Sequence, residues 1–344
     1  MIYEYFRKYP KDIEFYEQYL KSRLPQKILD VHTHINLQEH LKDIPQSRID
    51  SDWAFQTGMQ MTTEDAQHYI SLMFPDIDYR MASFPLPIKE GDMVANNQYI
   101  QKSIQQKNIE YGLMCIKPQW SVEYIEEQLK TNGFVGVKPY PDMLSGVKGA
   151  DISIFDFFPK EHIELVEKLN KCVVMHLPRA GRMPDPDNIR ELREIRQRYP
   201  KLKMIIAHFG RCFMLPYFKS AIEALGEDIH SFWFDTAAVL NPQVFEAAMD
   251  VLDPDKILYG SDQPIFLWHG KRRWTDEKYF NLCREDFPWN KHEEGFEAEK
   301  DYTFFVYEQM NNILNALEKT GMGDGVKCGI FGGNAKKLLD GCIS

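Results

Sequence analysis

Short apolar runs alternate along this chain with longer stretches of helical periodicity. Eight runs read as strands: 27–34, 79–84, 111–116, 134–139, 172–177, 203–208, 231–235 and 256–261. Unbroken apolar character at this length suits strands covered on both faces, as in a parallel sheet. Helical stretches fall between most of them, at 92–107, 121–131, 156–170, 187–198, 214–226 and 241–252. Asn241 followed by Pro242 predicts one helix start, with a capping side chain and then a ring that needs no hydrogen-bond partner. Eight strands alternating with helices predict an α/β fold, a closed (β/α)₈ TIM barrel rather than an open sheet. The whole chain, 1–344, reads as one domain with a helical extension over 1–26.

Two segments break the rhythm. Residues 35–78 follow the first strand, and residues 263–300 follow the eighth. The second is rich in aromatics and charge, including Trp268, His269, Arg272, Arg273, Trp274, Tyr279, Phe287 and Trp289. Loops after the carboxyl ends of barrel strands form the active-site face, so both insertions are candidates for a lid or pocket wall. A partner interface or a decorated surface accounts for them equally well. Residues 329–334 then lead into a last helix over 335–339.

The strand ends carry the candidate chemistry. The first ends Asp30-Val31-His32-Thr33-His34, and alternation places both histidines on one side. The fifth ends in His176, the sixth in His208 and the eighth in Asp262. Each histidine alone reads as a hydrogen-bonded core or surface residue. Gathered at one end of a parallel barrel, imidazole nitrogens and a carboxylate suit one divalent metal ion, zinc being the first expectation. Arg179, Arg182 and Arg211 follow the strand-five and strand-six histidines closely, where a guanidinium can grip a substrate carboxylate. A structural ion pair is the competing reading for each. Tyr140 and Asp235 also lie at strand ends, and His269 could reach the site from its insertion.

Composition narrows the partners. A formal charge of −10 argues against nucleic acid, and no apolar run approaches membrane-spanning length. The first ten residues show no signal-peptide core, and the cysteines at 115, 172, 212, 283, 328 and 342 form no Cys-x-x-Cys pair. Reduced cysteines in a cytoplasmic enzyme of a small-molecule substrate are expected, with a homo-oligomer left open.

In their order, these strand-end residues resemble the amidohydrolase superfamily. The stretches Val135-Gly136-Val137-Lys138-Pro139, Gly260-Ser261-Asp262-Gln263-Pro264 and Gly332-Gly333-Asn334-Ala335 resemble its amidohydrolase-2 branch, which includes aminocarboxymuconate semialdehyde decarboxylase and related enzymes. The resemblance covers roughly 27–264 and 329–340. It implies a TIM barrel, one divalent ion held by His32, His34, His176 and Asp262, and either hydrolysis or nonoxidative decarboxylation. It further implies an acid/base or electrostatic role for His208, with metal ligation the lesser alternative. Asp262 would move protons as well as bind the ion. A lysine at the position of Lys138 is carboxylated in two-metal relatives. The expectation is one metal and an ordinary Lys138 that meets a substrate anion or Asp262. A hydrolase is the leading expectation, a decarboxylase the alternative, and a noncatalytic binding protein is disfavoured by the intact ligand set.

Overall fold

The computed structural model describes residues 7–145, 151–275 and 278–343. Eight parallel strands pair in sequence order: β1 (Lys27–His34), β2 (Asp78–Phe84), β3 (Tyr111–Cys115), β4 (Gly136–Lys138), β5 (Cys172–Met175), β6 (Lys203–Ile206), β7 (Trp233–Asp235) and β8 (Ile257–Leu258). The ring is completed by hydrogen bonds between β1 and the chain after β8. Val31 N–H donates to Tyr259 O at 3.0 Å, Asp262 N–H to His32 O at 2.9 Å and His34 N–H to Gln263 O at 2.7 Å. The expected TIM barrel is present, nearly closed. β5, β6 and β8 end before their apolar runs do, whereas β4 and β7 begin later than theirs.

Eight helices cover the outside: α1 (Thr63–Met73), α2 (Met93–Gln105), α3 (Val122–Thr131), α4 (Lys160–Lys168), α5 (Pro186–Arg198), α6 (Leu215–Leu225), α7 (Pro242–Val251) and α8 (Phe305–Lys319). Their starts follow from capping side chains, which satisfy first-turn N–H groups. Asn241 Oδ1 accepts from Gln243 N–H at 3.0 Å, and Asp185 Oδ1 accepts from Asp187 N–H at 3.0 Å. The periodic stretch 156–170 begins as a helix only at Lys160, because Pro159 supplies no N–H and separates it from a short turn at Ile154–Phe157. No helix among the described residues is long and apolar enough to cross a membrane.

Side-chain alternation sorts the strands into two cores. Leu29, Val31, Val174, Ile205, Ala207 and Leu258 cluster inside the barrel, where Leu338 and Leu339 of the last helix plug its floor. Ile28, Val173, Met175, Met204, Ile206 and Ile257 pack outward against the helices. Gly332 passes so close to β1 that an added Cβ would lie 2.9 Å from Leu29 N, so this position must be glycine.

The segment after β8 holds an antiparallel hairpin that the apolar pattern did not reveal, β9 (Gly270–Trp274) with β10 (Tyr279–Cys283). It shares a third apolar cluster with the segment after β1, through Phe55, Phe266, Trp268, Phe287 and Phe305. His269 does not enter the barrel mouth. It is buried between Asp12 of the N-terminal helical segment and Glu285, its Nε2 lying 3.1 Å from Asp12 Oδ2 and its Nδ1 bonding Glu285. Burial alone would push its pKa down, but the two carboxylates outweigh this and raise it. The stability this cation contributes is fully present below the unfolded pKa of about 6.5, and is lost as pH rises through the higher folded value. Urea unfolding of the intact protein should therefore show stability falling between pH 6 and 9, with that component missing in His269→Gln. The substitution leaves buried carboxylates without a cation and should cost about 3–5 kcal/mol at pH 6. An unchanged midpoint for His269→Gln would contradict the assignment.

Candidate metal centre and active site

The barrel mouth opens into a cavity of about 200 Å³. His32, His34, His176, His208 and Asp262 all line it, as do Tyr140 and Arg211. Trp53 and Phe55 come from the insertion after β1, and Phe266, Arg272 and Tyr279 from the insertion after β8, so both insertions wall the pocket. A larger cavity of about 620 Å³ opens at the amino ends of β1 and β2. It lies away from the one group of three metal-ligand side chains among the described residues.

Simple alternation would not deliver all these histidines. Val31 faces the barrel interior, so His32 should face the helices. The pairing of β1 with β2 shifts between Asp30 and Thr33, and this bulge resets the parity so that His32 and His34 both turn inward. Ala207 likewise faces inward, so His208 should not. Here the backbone enters a left-handed turn, with φ of 58° at His208, 46° at Phe209, 67° at Gly210 and 65° at Arg211. That turn swings His208 and Arg211 into the mouth. Arg179, Arg182, Ala238 and Asp262 also have positive φ. Strained backbone of this kind is tolerated where packing over-determines it, characteristically at functional sites.

The ring contacts fix which atoms converge. His32 Nδ1 lies 2.9 Å from Asp235 Oδ2, leaving Nε2 3.5 Å from Asp262 Oδ1. His34 Nδ1 lies 3.4 Å from the Pro85 carbonyl, and its Nε2 3.1 Å from Asp262 Oδ1. His208 Nδ1 donates to Ala237 O at 2.9 Å, so its neutral form presents a bare Nε2. One ligand atom from each of His32, His208 and Asp262 can be chosen with all three within 4.8 Å of one another. His34 joins through Asp262, and the His176 ring stands 5.2 Å from that of His208 and 4.6 Å from Tyr140. Gly260 makes room for His32, since a Cβ there would lie 2.9 Å from His32 Cβ.

This arrangement is short of positive charge. A neutral imidazole has one N–H. His32 faces a carboxylate on each side, and His34 faces a carbonyl and a carboxylate. Burial pushes the pKa of both rings down, so neither readily takes a second proton, and burial takes His208 down to about 4. Burial would raise Asp262, but the His34 contact and the neighbouring imidazoles hold it well below the usual carboxylate range. The Nε2 lone pairs of His32 and His208 therefore face an ionised carboxylate, and a divalent cation fits that donor set. Asp235 does the orienting: its carboxylate also accepts His208 N–H at 2.7 Å and Ala237 N–H at 3.1 Å. Lys138 lies buried beneath the rings, its Nζ 4.9 Å from the Phe84 ring centre and without a hydrogen-bond partner among the described residues. Burial lowers its pKa to about 8, with Asp235 and Asp262 opposing the shift.

The three arginines part company. Arg179 turns away and is bound to Asn188 and Glu191, with Nη2 2.9 Å from Glu191 Oε1. Arg211 lines the cavity, its Nη1 pinned to the carbonyls of Leu177, Pro178 and Arg179. Arg182 stacks nearby on Tyr217 at 4.8 Å. Arg272 was missed as a site residue: it is buried in the cavity wall, yet no motif marks an arginine inside a hairpin.

The family model described as Amidohydrolase matches residues 29–341. The chain belongs to the amidohydrolase family. It is an enzyme of the amidohydrolase-2 type, as the strand-end residues implied. No curated protein matches it. Among solved structures it is similar to 4-oxalomesaconate hydratase from Rhodopseudomonas palustris, with 16% identity, a TM-score of 0.57, and 91% of this chain and 96% of that chain covered. It is also similar to a probable 2-pyrone-4,6-dicarboxylic acid hydrolase from Acinetobacter baumannii, at 17% identity and TM-score 0.56 over 91% and 99% of the two chains. A dihydroxybenzoic acid decarboxylase from Polaromonas, solved with bound manganese and an inhibitor, matches at 17% identity and TM-score 0.56 over 92% and 97%. At these identities the structures establish the shared fold.

If Asp235 sets the His32 tautomer, Asp235→Asn should weaken divalent-metal affinity by about 10–100-fold. Competition with a chromogenic chelator measures this directly. Unchanged affinity in a folded variant would show that the carboxylate does not orient the ring.

Proposed function

We propose that this amidohydrolase is a metal-dependent hydrolase of a small, carboxylate-bearing substrate. The observation that carries the reading is the convergence of bare imidazole nitrogens on the ionised Asp262 carboxylate. His32, His34, His176 and Asp262 would hold the ion, and zinc suits that nitrogen and carboxylate set. A divalent ion in such a site supplies Lewis acidity, polarising a substrate oxygen and lowering the pKa of a water towards ~7.

The chain's own groups do the rest. His208 Nε2 accepts a proton from the attacking water, because Nδ1 is committed to the Ala237 carbonyl. Asp262 takes part in passing that proton to the leaving group. Arg211, locked by three backbone carbonyls, orients a substrate carboxylate with little left to order on binding. Trp53, Phe55 and Phe266 exclude water from the reacting centre.

Decarboxylation is the second reading, favoured by the aromatic wall of the cavity, which suits a flat ring. The Polaromonas structure belongs to that reaction class. Incubation with candidate aromatic carboxylates and lactones separates the two: ring opening or ester cleavage without gas is expected, whereas stoichiometric carbon dioxide release would replace hydrolysis with the second reading.

His208→Asn should retain the metal and lose turnover by about 10²–10⁴-fold, since asparagine cannot carry the proton. Metal content and turnover of the same preparation test this together. Loss of the metal would make His208 a ligand; full activity would leave proton transfer to Asp262.

A further inference from the structure

The hairpin after β8 adds a charge that the metal centre does not require. Arg272 lies on β9 and is buried, with its guanidinium 4.4 Å from the centre of the Tyr279 ring and 5.0 Å from that of Phe213. Its polar contacts are neutral: Nε donates to Asn281 Oδ1 at 2.9 Å and Nη1 to the Ala238 carbonyl. Arg182 packs on the same two rings, 5.6 Å from Phe213 and 5.7 Å from Tyr279, with a buried Nη1 that has no hydrogen-bond partner among the described residues. Arg211 completes the cluster on the cavity wall, and among the described residues it too bonds only backbone carbonyls.

Arg272 and Arg211 thus line the cavity, Arg182 packs against its Phe213 and Tyr279, and none of the three has an ion pair to a carboxylate among the described residues. Arg179, a few positions away, shows how the chain neutralises a structural arginine, since it is paired with Glu191. Buried charge without a counter-ion is costly unless a ligand supplies one. Asp262 is shared with the metal centre, where its Oδ1 meets His32 and His34, and Asp52, the other carboxylate on the cavity wall, accepts Ala54 N–H. Surrounding aromatic rings strip water from the buried Arg272, which strengthens its attraction for an anion, while Arg182 is half-buried beside it.

We infer that Arg272, with Arg182 and Arg211, forms a second anion subsite, and that the enzyme selects a flat substrate carrying two carboxylates. One carboxylate or its neighbouring oxygen lies at the metal centre, and the other meets the arginine cluster. The inserted hairpin is then a specificity element, and Arg272 a substrate-binding residue. This rests on the proposed use of the barrel mouth as an active site, but not on which bond is broken there.

Calorimetric binding to the metal-loaded protein tests it without any turnover. Benzene-1,3-dicarboxylate and benzoate serve as probes of equal ring size. The dicarboxylate should bind at least tenfold more tightly, with an advantage that shrinks as salt rises. Arg272→Met, which keeps the packed stem, should cut dicarboxylate affinity tenfold or more and bring it close to that of benzoate. Arg272→Lys keeps the charge without the fork and should fall between them, and it carries the test if the methionine variant does not fold. Equal affinity for both probes in the wild type, no binding of the dicarboxylate at millimolar concentration, or equal losses for both probes in the variants would overturn the inference. Carbon dioxide release from the true substrate would instead overturn only the hydrolase reading.

Discussion

One electrostatic constraint organises the barrel mouth: the Asp262 carboxylate faces imidazole nitrogens at hydrogen-bond distance, with too few protons to go round. Lone pairs held that close repel unless something positive lies between them. The tautomers that create the deficit are set from behind. Asp235 holds Nδ1 of His32, the Ala237 carbonyl holds Nδ1 of His208, and the Pro85 carbonyl faces Nδ1 of His34. Each of those partners is fixed by the barrel, two of them on or just after β7. The site is therefore a property of the strand ends acting together, and burial that keeps the rings neutral is what reserves their nitrogens for a cation.

Reaching that geometry requires departures from regular strand. The bulge in β1 turns two histidines inward, and the left-handed turn after β6 does the same for His208 and Arg211. Gly260 removes the Cβ that would strike His32. These irregularities cost conformational energy, which is offset by two packed cores and a floor plugged by the last helix. The rigid lower barrel and the strained rim are thus complementary parts of one device: the first holds the second in conformations it would not keep alone.

Much of this was legible in the amino-acid pattern. Apolar runs located the strands because both faces of a parallel barrel strand are buried. Polar residues at their ends announced a shared mouth. What the pattern could not convey is direction. Parity alone points His32 and His208 the wrong way, and neither the β1 bulge nor the turn at 208–211 has a short-range signature. Long-range pairing was equally hidden: Arg179 finds Glu191 and His269 finds Asp12 and Glu285, so neither enters the cavity. Arg272 was visible only as one cation among many in a charged, aromatic insertion. Its significance appears when the hairpin folds over Phe213 and removes it from water.

The central claim is that a cation resolves the charge deficit between Asp262 and the histidines. The most direct measurement is anomalous scattering from crystals of the protein as purified, collected at the absorption edges of zinc and manganese. The account predicts one peak per chain, within bonding distance of Asp262 and His32. Crystals with no anomalous peak at that position, after purification without chelators and soaking in zinc, would contradict it.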